Sequence, residues 1–274
     1  MAAALSALFL ACSLACSVTT GELPRPGSCA AFAVTMVSPA EGDANVATNV
    51  LPVVTFNDYP NPDTFGNTAF LLWTGVFYYT TRAKIDLIDR TARFEPSGGL
   101  LPGIGYTMTL DPKVQSLQGC LLQPPPAYDD GTVPDKYAYH FITRPPNVES
   151  PPRPGPATSP PFSMVLDAFA ASCAGAGCHL AQAGAADNAD CLDTPAGDLS
   201  LCARDAHDAL VGVGAREVDR MTRVLPRDSS RSFLLRKLLG APPRAGHTGA
   251  AGQDLPATAL RTIADWIEGG APAQ

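Results

Sequence analysis

The sequence is poor in charge and in histidine, and it has no apolar run long enough to cross a membrane. Only 16% of its 274 residues are charged, and Lys+Arg 19 against Asp+Glu 26 leaves a formal net charge of −7. No basic cluster interrupts that balance, which excludes a nucleic-acid partner, because such binding rests on Lys and Arg neutralising phosphates. The apolar stretch at residues 2–11 falls short of the roughly 20 residues of a spanning helix. There is no GxSxG segment and the 4 histidines are spread singly, so a hydrolytic nucleophile with its base and orienting acid cannot be assembled. Phosphate-cradling GxxxxGK[ST] and GxGxxG fingerprints after a strand are missing too. The expectation is a protein that is not an enzyme.

Turn formers and thiols are present in plenty. Pro 27 and Gly 24 predict many turns and short strands, while a hydrophobic fraction of 46% still supports cores, and the length suits two domains. Eight cysteines suit an oxidising compartment better than a reducing cytosol. Residues 2–11 read AAALSALFLA and are followed by Cys12 and Cys16, which resembles the lipobox of bacterial lipoproteins, where such a cysteine is lipidated. The expectations are a signal segment over 1–16, lipidation at Cys16 or Cys12, and a membrane contact through that anchor, in the periplasm, outer membrane or cell surface. The triplets Phe9-Leu10-Ala11 and Ser13-Leu14-Ala15 lack the preferred leucine, and no basic residue precedes Arg25. A cleaved ordinary signal or a buried N-terminal helix are the alternatives.

Six cysteines remain and allow 15 pairings, of which those within a domain need the least rearrangement. The expected disulfides are Cys29–Cys120 and Cys191–Cys202.

Residues 145–161 form a proline-rich segment that reads as a semi-rigid extended spacer. Before it, residues 29–144 contain about seven strand-length runs, at 32–37, 51–56, 70–73, 76–80, 84–88, 106–110 and 137–143, with turn residues between most of them, which predicts a β-sandwich. Lys84-Ile85-Asp86-Leu87-Ile88 and Tyr106-Thr107-Met108-Thr109-Leu110 alternate polar and apolar, so their strands have one wet face. Val37-Ser38-Pro39-Ala40-Glu41-Gly42, Val53-Val54-Thr55-Phe56-Asn57, Phe94-Glu95-Pro96 leading to Leu101-Pro102-Gly103-Ile104-Gly105-Tyr106, and Tyr139-His140-Phe141-Ile142-Thr143 together resemble the S-layer-type bacterial Ig-like domain. That resemblance implies a structural or presenting module without an active site. His140 reads as a solvent-facing or packed strand residue, and Asp129 and Asp130 as solvated turn carboxylates, since calcium wants six or more oxygens.

After the spacer, Phe162, Val165, Leu166 and Phe169 stripe a helix that runs into Cys173-Ala174-Gly175-Ala176-Gly177-Cys178-His179. Two thiols followed by an imidazole are what covalent haem attachment requires: the sulfurs add to the porphyrin vinyl groups and the histidine reaches the iron. Four residues separate these cysteines where the common motif has two. The remaining readings of the stretch are a Cys173–Cys178 disulfide beside an incidental His179, and a metal site short of a fourth ligand.

Downstream, 223–238 and 260–272 resemble the cytochrome-c-like domains of secreted bacterial proteins, in which a Val-x-Pro-Gly-Asp segment and helix, a Gly-x-x-Met-Pro loop and a last helix ending Trp-Ile-x-x-Gly-Ala follow the haem motif. Ser229 or Ser230 is the expected cap of a helix carrying Phe233, Leu234 and Leu238, and Gly240 its stop. Leu260, Ile263 and Ile267 stripe the last helix, which Gly269 ends. Leu255 stands where the resemblance implies a methionine iron ligand, so His247, Met221 or His207 would have to serve, or the iron stays five-coordinate. Asp187, Asp190, Asp193 and Asp198 surround Cys191 and Cys202 in what reads as a stapled acidic loop.

The sequence therefore predicts a multidomain chain: an all-β Ig-like sandwich at 29–144 and a mainly α cytochrome-c-like domain at 162–274. The expected function is electron transfer by one haem c on Cys173, Cys178 and His179, with an unidentified redox partner. A structural or adhesive surface lipoprotein without haem is the alternative.

Overall fold

The computed structural model describes residues 31–79, 83–96, 99–126, 134–148, 158–172, 191, 195, 198–240 and 255–274. The described residues up to 148 belong to one compact unit and those from 158 onward to another.

The first unit is a sandwich of two sheets. One has the order β1-β3-β7-β6, formed by β1 (Val34–Ser38), β3 (Val53–Phe56), β7 (Thr91–Arg93) and β6 (Lys84–Asp86). The other has the order β2-β9-β8-β4-β5, from β2 (Asp43–Val46), β9 (Tyr137–Thr143), β8 (Gly105–Leu110), β4 (Phe70–Trp73) and β5 (Tyr78–Tyr79). The chain leaves the first sheet after β1, turns at Pro39 and Ala40, and joins the second as β2, which pairs parallel to β9. This is the two-sheet order of an immunoglobulin-like sandwich whose first strand is split between both sheets.

Period-two burial explains the elements. In β8, Tyr106, Met108 and Leu110 are buried, while Thr107 and Thr109 face outward; in β9, Tyr137, Phe141 and Thr143 point in. Stacked or edge-on ring pairs Phe32–Phe56, Phe56–Phe65, Phe70–Phe94 and Tyr106–Phe141 fill the space between sheets. Where β8 begins, the Tyr106 hydroxyl accepts a hydrogen bond from the Leu101 amide at 2.7 Å. This is the tyrosine corner of Ig-like sandwiches, and burial pushes the phenol pKa up.

The structure adds two strands to the seven expected. β2 reads Asp-Ala-Asn-Val and contains Asn45 at φ 60, while β7 reads Thr-Ala-Arg, so neither carries a run of large apolar residues. β7 is nonetheless central, with Ala92 wholly buried. The fifth expected segment ends earlier than its apolar pattern, at Asp86, whose carboxylate accepts from the amides of Ile88 and Asp89 and turns the chain.

The described part of the second unit holds four helices: α1 (Phe162–Ser172), α2 (Ala206–Leu210), α3 (Phe233–Leu238) and α4 (Ala257–Glu268). Phe162, Val165 and Phe169 of α1 and Ile263, Trp266 and Ile267 of α4 lie in one apolar cluster with Leu210, Leu234, Leu238 and Leu255. Trp266 stacks on Phe162 with centroids 5.1 Å apart, and its indole N–H donates to the Pro272 carbonyl at 2.9 Å. Gly269 is needed for close approach: a Cβ there would collide with Ser159.

The cap of α3 differs from the expected one. Ser232 is its N-cap residue, and the Ser232 hydroxyl bonds Leu225 and Asp228 rather than a helical amide. Ser229 instead donates its amide and hydroxyl to Glu268, at 3.0 and 2.6 Å, tying the segment before α3 to the end of α4. Gly240 follows α3 at φ 65, the left-handed conformation of a helix stop.

Candidate functional site

Helix α1 ends at Ser172, immediately before the proposed haem-attachment stretch. Cys173, Cys178, His179 and His247 lie outside the described residues, as do Cys12, Cys16, Cys29, Asp129 and Asp130. The structure does place the side chains considered for the second axial position. Leu255 is buried in the apolar cluster beside α1 and α4. His207 packs edge-on against Phe162 and Trp266, with Nε2 3.0 Å from the Ala271 carbonyl oxygen and Nδ1 3.2 Å from Asp208. The His207 ring is thus part of the helix-packing core. Met221 is half-buried in the loop between α2 and α3.

Cys191 and Cys202 form a disulfide with Cα atoms 5.4 Å apart. Cys202 is fully buried ahead of α2, and Asp205 stands within 3.4 Å of its sulfur. These three residues are near enough to hold a metal ion, but the disulfide consumes both thiolates, and Arg204 grips Asp205 at 2.7 and 3.0 Å and holds its carboxyl below the usual range. Asp198, at φ 50, ion-pairs with Arg216. In the first unit Cys120 is buried and disulfide-bonded.

The outer face of the five-stranded sheet of the first unit presents a second cluster. Register sets Trp73 of β4 opposite Thr107 of β8, and Thr107 opposite His140 of β9, so one row crosses three strands. Tyr78 of β5 extends it and stacks on Trp73 with centroids 5.9 Å apart. Glu41 grips His140 twice, accepting from its amide at 2.7 Å and lying 3.2 Å from Nδ1. A groove of about 350 Å³ runs along this row, with Gly42, Gly105 and Ile142 also in its walls. The sequence marks His140 only as a strand residue, because the row exists through cross-strand register, which no local pattern encodes.

Asp58 is a buried carboxylate in the same unit. One oxygen accepts from the Tyr59 amide at 2.7 Å and the other has no hydrogen-bond partner. Burial raises its pKa, against a weaker opposing pull from Arg90.

Residues 29–143, less than half of the chain, match the family model of the bacterial Ig-like domain. The first unit is therefore a bacterial Ig-like domain, as its strand order and tyrosine corner indicate. Among solved structures, the N-terminal part of the bacterial S-layer protein SbsC is similar at 14% identity and TM-score 0.30, over 47% of this chain and 25% of that one. CopC from Methylosinus trichosporium OB3b is similar at 17% identity and TM-score 0.30, over 43% of this chain and 97% of that one. The native conformation of E. coli alpha-2-macroglobulin matches at 13% identity and TM-score 0.30, over 42% and 6%. The chain thus spans about a quarter of the SbsC fragment. No curated protein matches it.

Proposed function

We propose that this is an extracytoplasmic, lipid-anchored protein in which the Ig-like domain spaces a cytochrome-c-like unit from the membrane, and that one covalently held haem makes that unit an electron carrier. The observation that carries the reading is the packing of α1 on α4. The helix that leads directly into Cys173 buries Phe162, Val165 and Phe169 against the last helix of the chain and its Trp266. A last helix ending Trp266-Ile267 and followed by Gly270-Ala271 is what the cytochrome-c resemblance implies at this place. The disulfide Cys191–Cys202 and the bonded Cys120 support an oxidising compartment.

Cys173 and Cys178 offer a haem the two thiols and His179 the imidazole on one side. On the other, Leu255 offers hydrocarbon and His207 is committed to the helix core, which leaves His247, Met221 or a five-coordinate iron. When bound, haem supplies a one-electron couple. The chain's own part is to fix the start of the motif on α1 and to keep the interior beside it dry with Phe169, Leu255 and Ile263.

Oxidised and reduced absorption spectra of the full exported chain, made with haem-attachment machinery, test this. A Soret band that survives acid extraction and is lost in His179→Ala is the expected result. A colourless protein whose 173–179 peptide is two hydrogens light supports the second reading, a structural surface lipoprotein, which the burial of Leu255 in the donor's place favours.

A further inference from the structure

We propose that the groove on the outer face of the Ig-like domain binds a neutral pyranose glycan, with Trp73 as the stacking platform and the Thr107 hydroxyl and His140 Nε2 as its polar contacts. The groove's 350 Å³ lies in the range of small-ligand sites. A pyranose has a C–H face that packs on an indole and a rim of hydroxyls that needs donors and acceptors beside it. Both kinds of surface meet in the row Trp73, Thr107, His140.

Three observations point to a ligand rather than to an ordinary wet sheet face. The Thr107 hydroxyl and His140 Nε2 have no hydrogen-bond partner among the described residues, so both are available. His140 is 62% exposed on its side chain yet held at two atoms by Glu41, which sets the imidazole before anything binds. Gly105 opens β8 where no backbone demand requires glycine: its φ is not positive, and a Cβ added there would meet nothing within 4 Å. At this strand end the missing side chain leaves open space on the groove wall.

The lining chemistry selects the class. No Lys or Arg lines the groove, so an acidic sugar or phosphate would find no counter-charge. Glu41 is spent on His140, and Asp43 accepts from the Ala40 amide at 2.8 Å, which leaves little for a cation. A purely apolar segment would strand Thr107 and His140 away from water without partners. A neutral ring with one apolar face and hydroxyl edges satisfies every group.

The test is a titration of the full chain with cellohexaose, mannohexaose and chitohexaose, set against hexagalacturonate and an oligolysine peptide, followed by calorimetry and backbone amide shifts. At least one neutral sugar should shift the amides of residues 73, 107 and 140. Trp73→Ala should weaken that binding about tenfold or more. Gly105→Val fills the groove while favouring the strand, so it should abolish binding with an undiminished melting temperature; Gly105→Ala does the same more gently. The proposal is overturned if no neutral sugar shifts these amides at about 10 mM, which populates even a millimolar site. Binding unchanged by Gly105→Val, or preference for hexagalacturonate or oligolysine, overturns it equally.

Discussion

Phe162 and Trp266 stack with centroids 5.1 Å apart and planes 28° from parallel, joining α1 to α4 through their largest side chains. Trp266 is wholly buried, so Trp266→Ala removes the indole packing and the N–H bond to Pro272 together. The expected loss is about 3–5 kcal/mol of that unit's stability, read by denaturant unfolding with near-UV circular dichroism. A loss below about 1 kcal/mol would contradict the packing described here.

Tyr106→Phe keeps the ring against Phe141 and removes the hydroxyl that accepts from the Leu101 amide and meets the Tyr79 hydroxyl at 3.4 Å. It should cost about 1–3 kcal/mol, because a part-buried amide loses its partner while the core stays filled. Thermal unfolding of the Ig-like domain checks this.

Asp58 gives the domain an unusual pH response. Its folded pKa is raised above the ordinary 3.8, so its share of stability is fully present below that pH and is lost as pH rises through the folded value. Asp58→Asn should therefore raise the unfolding midpoint at neutral pH and leave it nearly unchanged near pH 3.5. Equal effects at both pH values would refute the assignment.

The Cys191–Cys202 bridge closes a loop of sequence separation 11, and its removal in a Cys191→Ser, Cys202→Ala double variant should cost about 3 kcal/mol by chain entropy. Urea unfolding of the oxidised chain and of the variant gives the difference directly.

The elements legible in the sequence are those whose own side chains carry a period. β8 alternates and α1 and α4 repeat every three to four residues, so each is visible without its neighbours. β7 has only Ala92 to bury, and α2 is five residues long, so both exist because surrounding elements hold them. The thiol and histidine motif was legible because its chemistry is contiguous, from Cys173 to His179. Trp73, Thr107 and His140 come from three strands far apart in the chain, and only the sheet's register brings them into one row.

The parallel pairing of β2 with β9 has a mechanical consequence. The Gly42 amide donates to His140 at 2.8 Å and the Arg144 amide to Val46 at 2.9 Å, while the Arg144 guanidinium bonds the Asn45 carbonyl at 2.9 Å. Sliding β2 and β9 past each other along their length would load these hydrogen bonds together, whereas lifting β2 away would break them one at a time, so this edge of the sheet resists shear better than peeling.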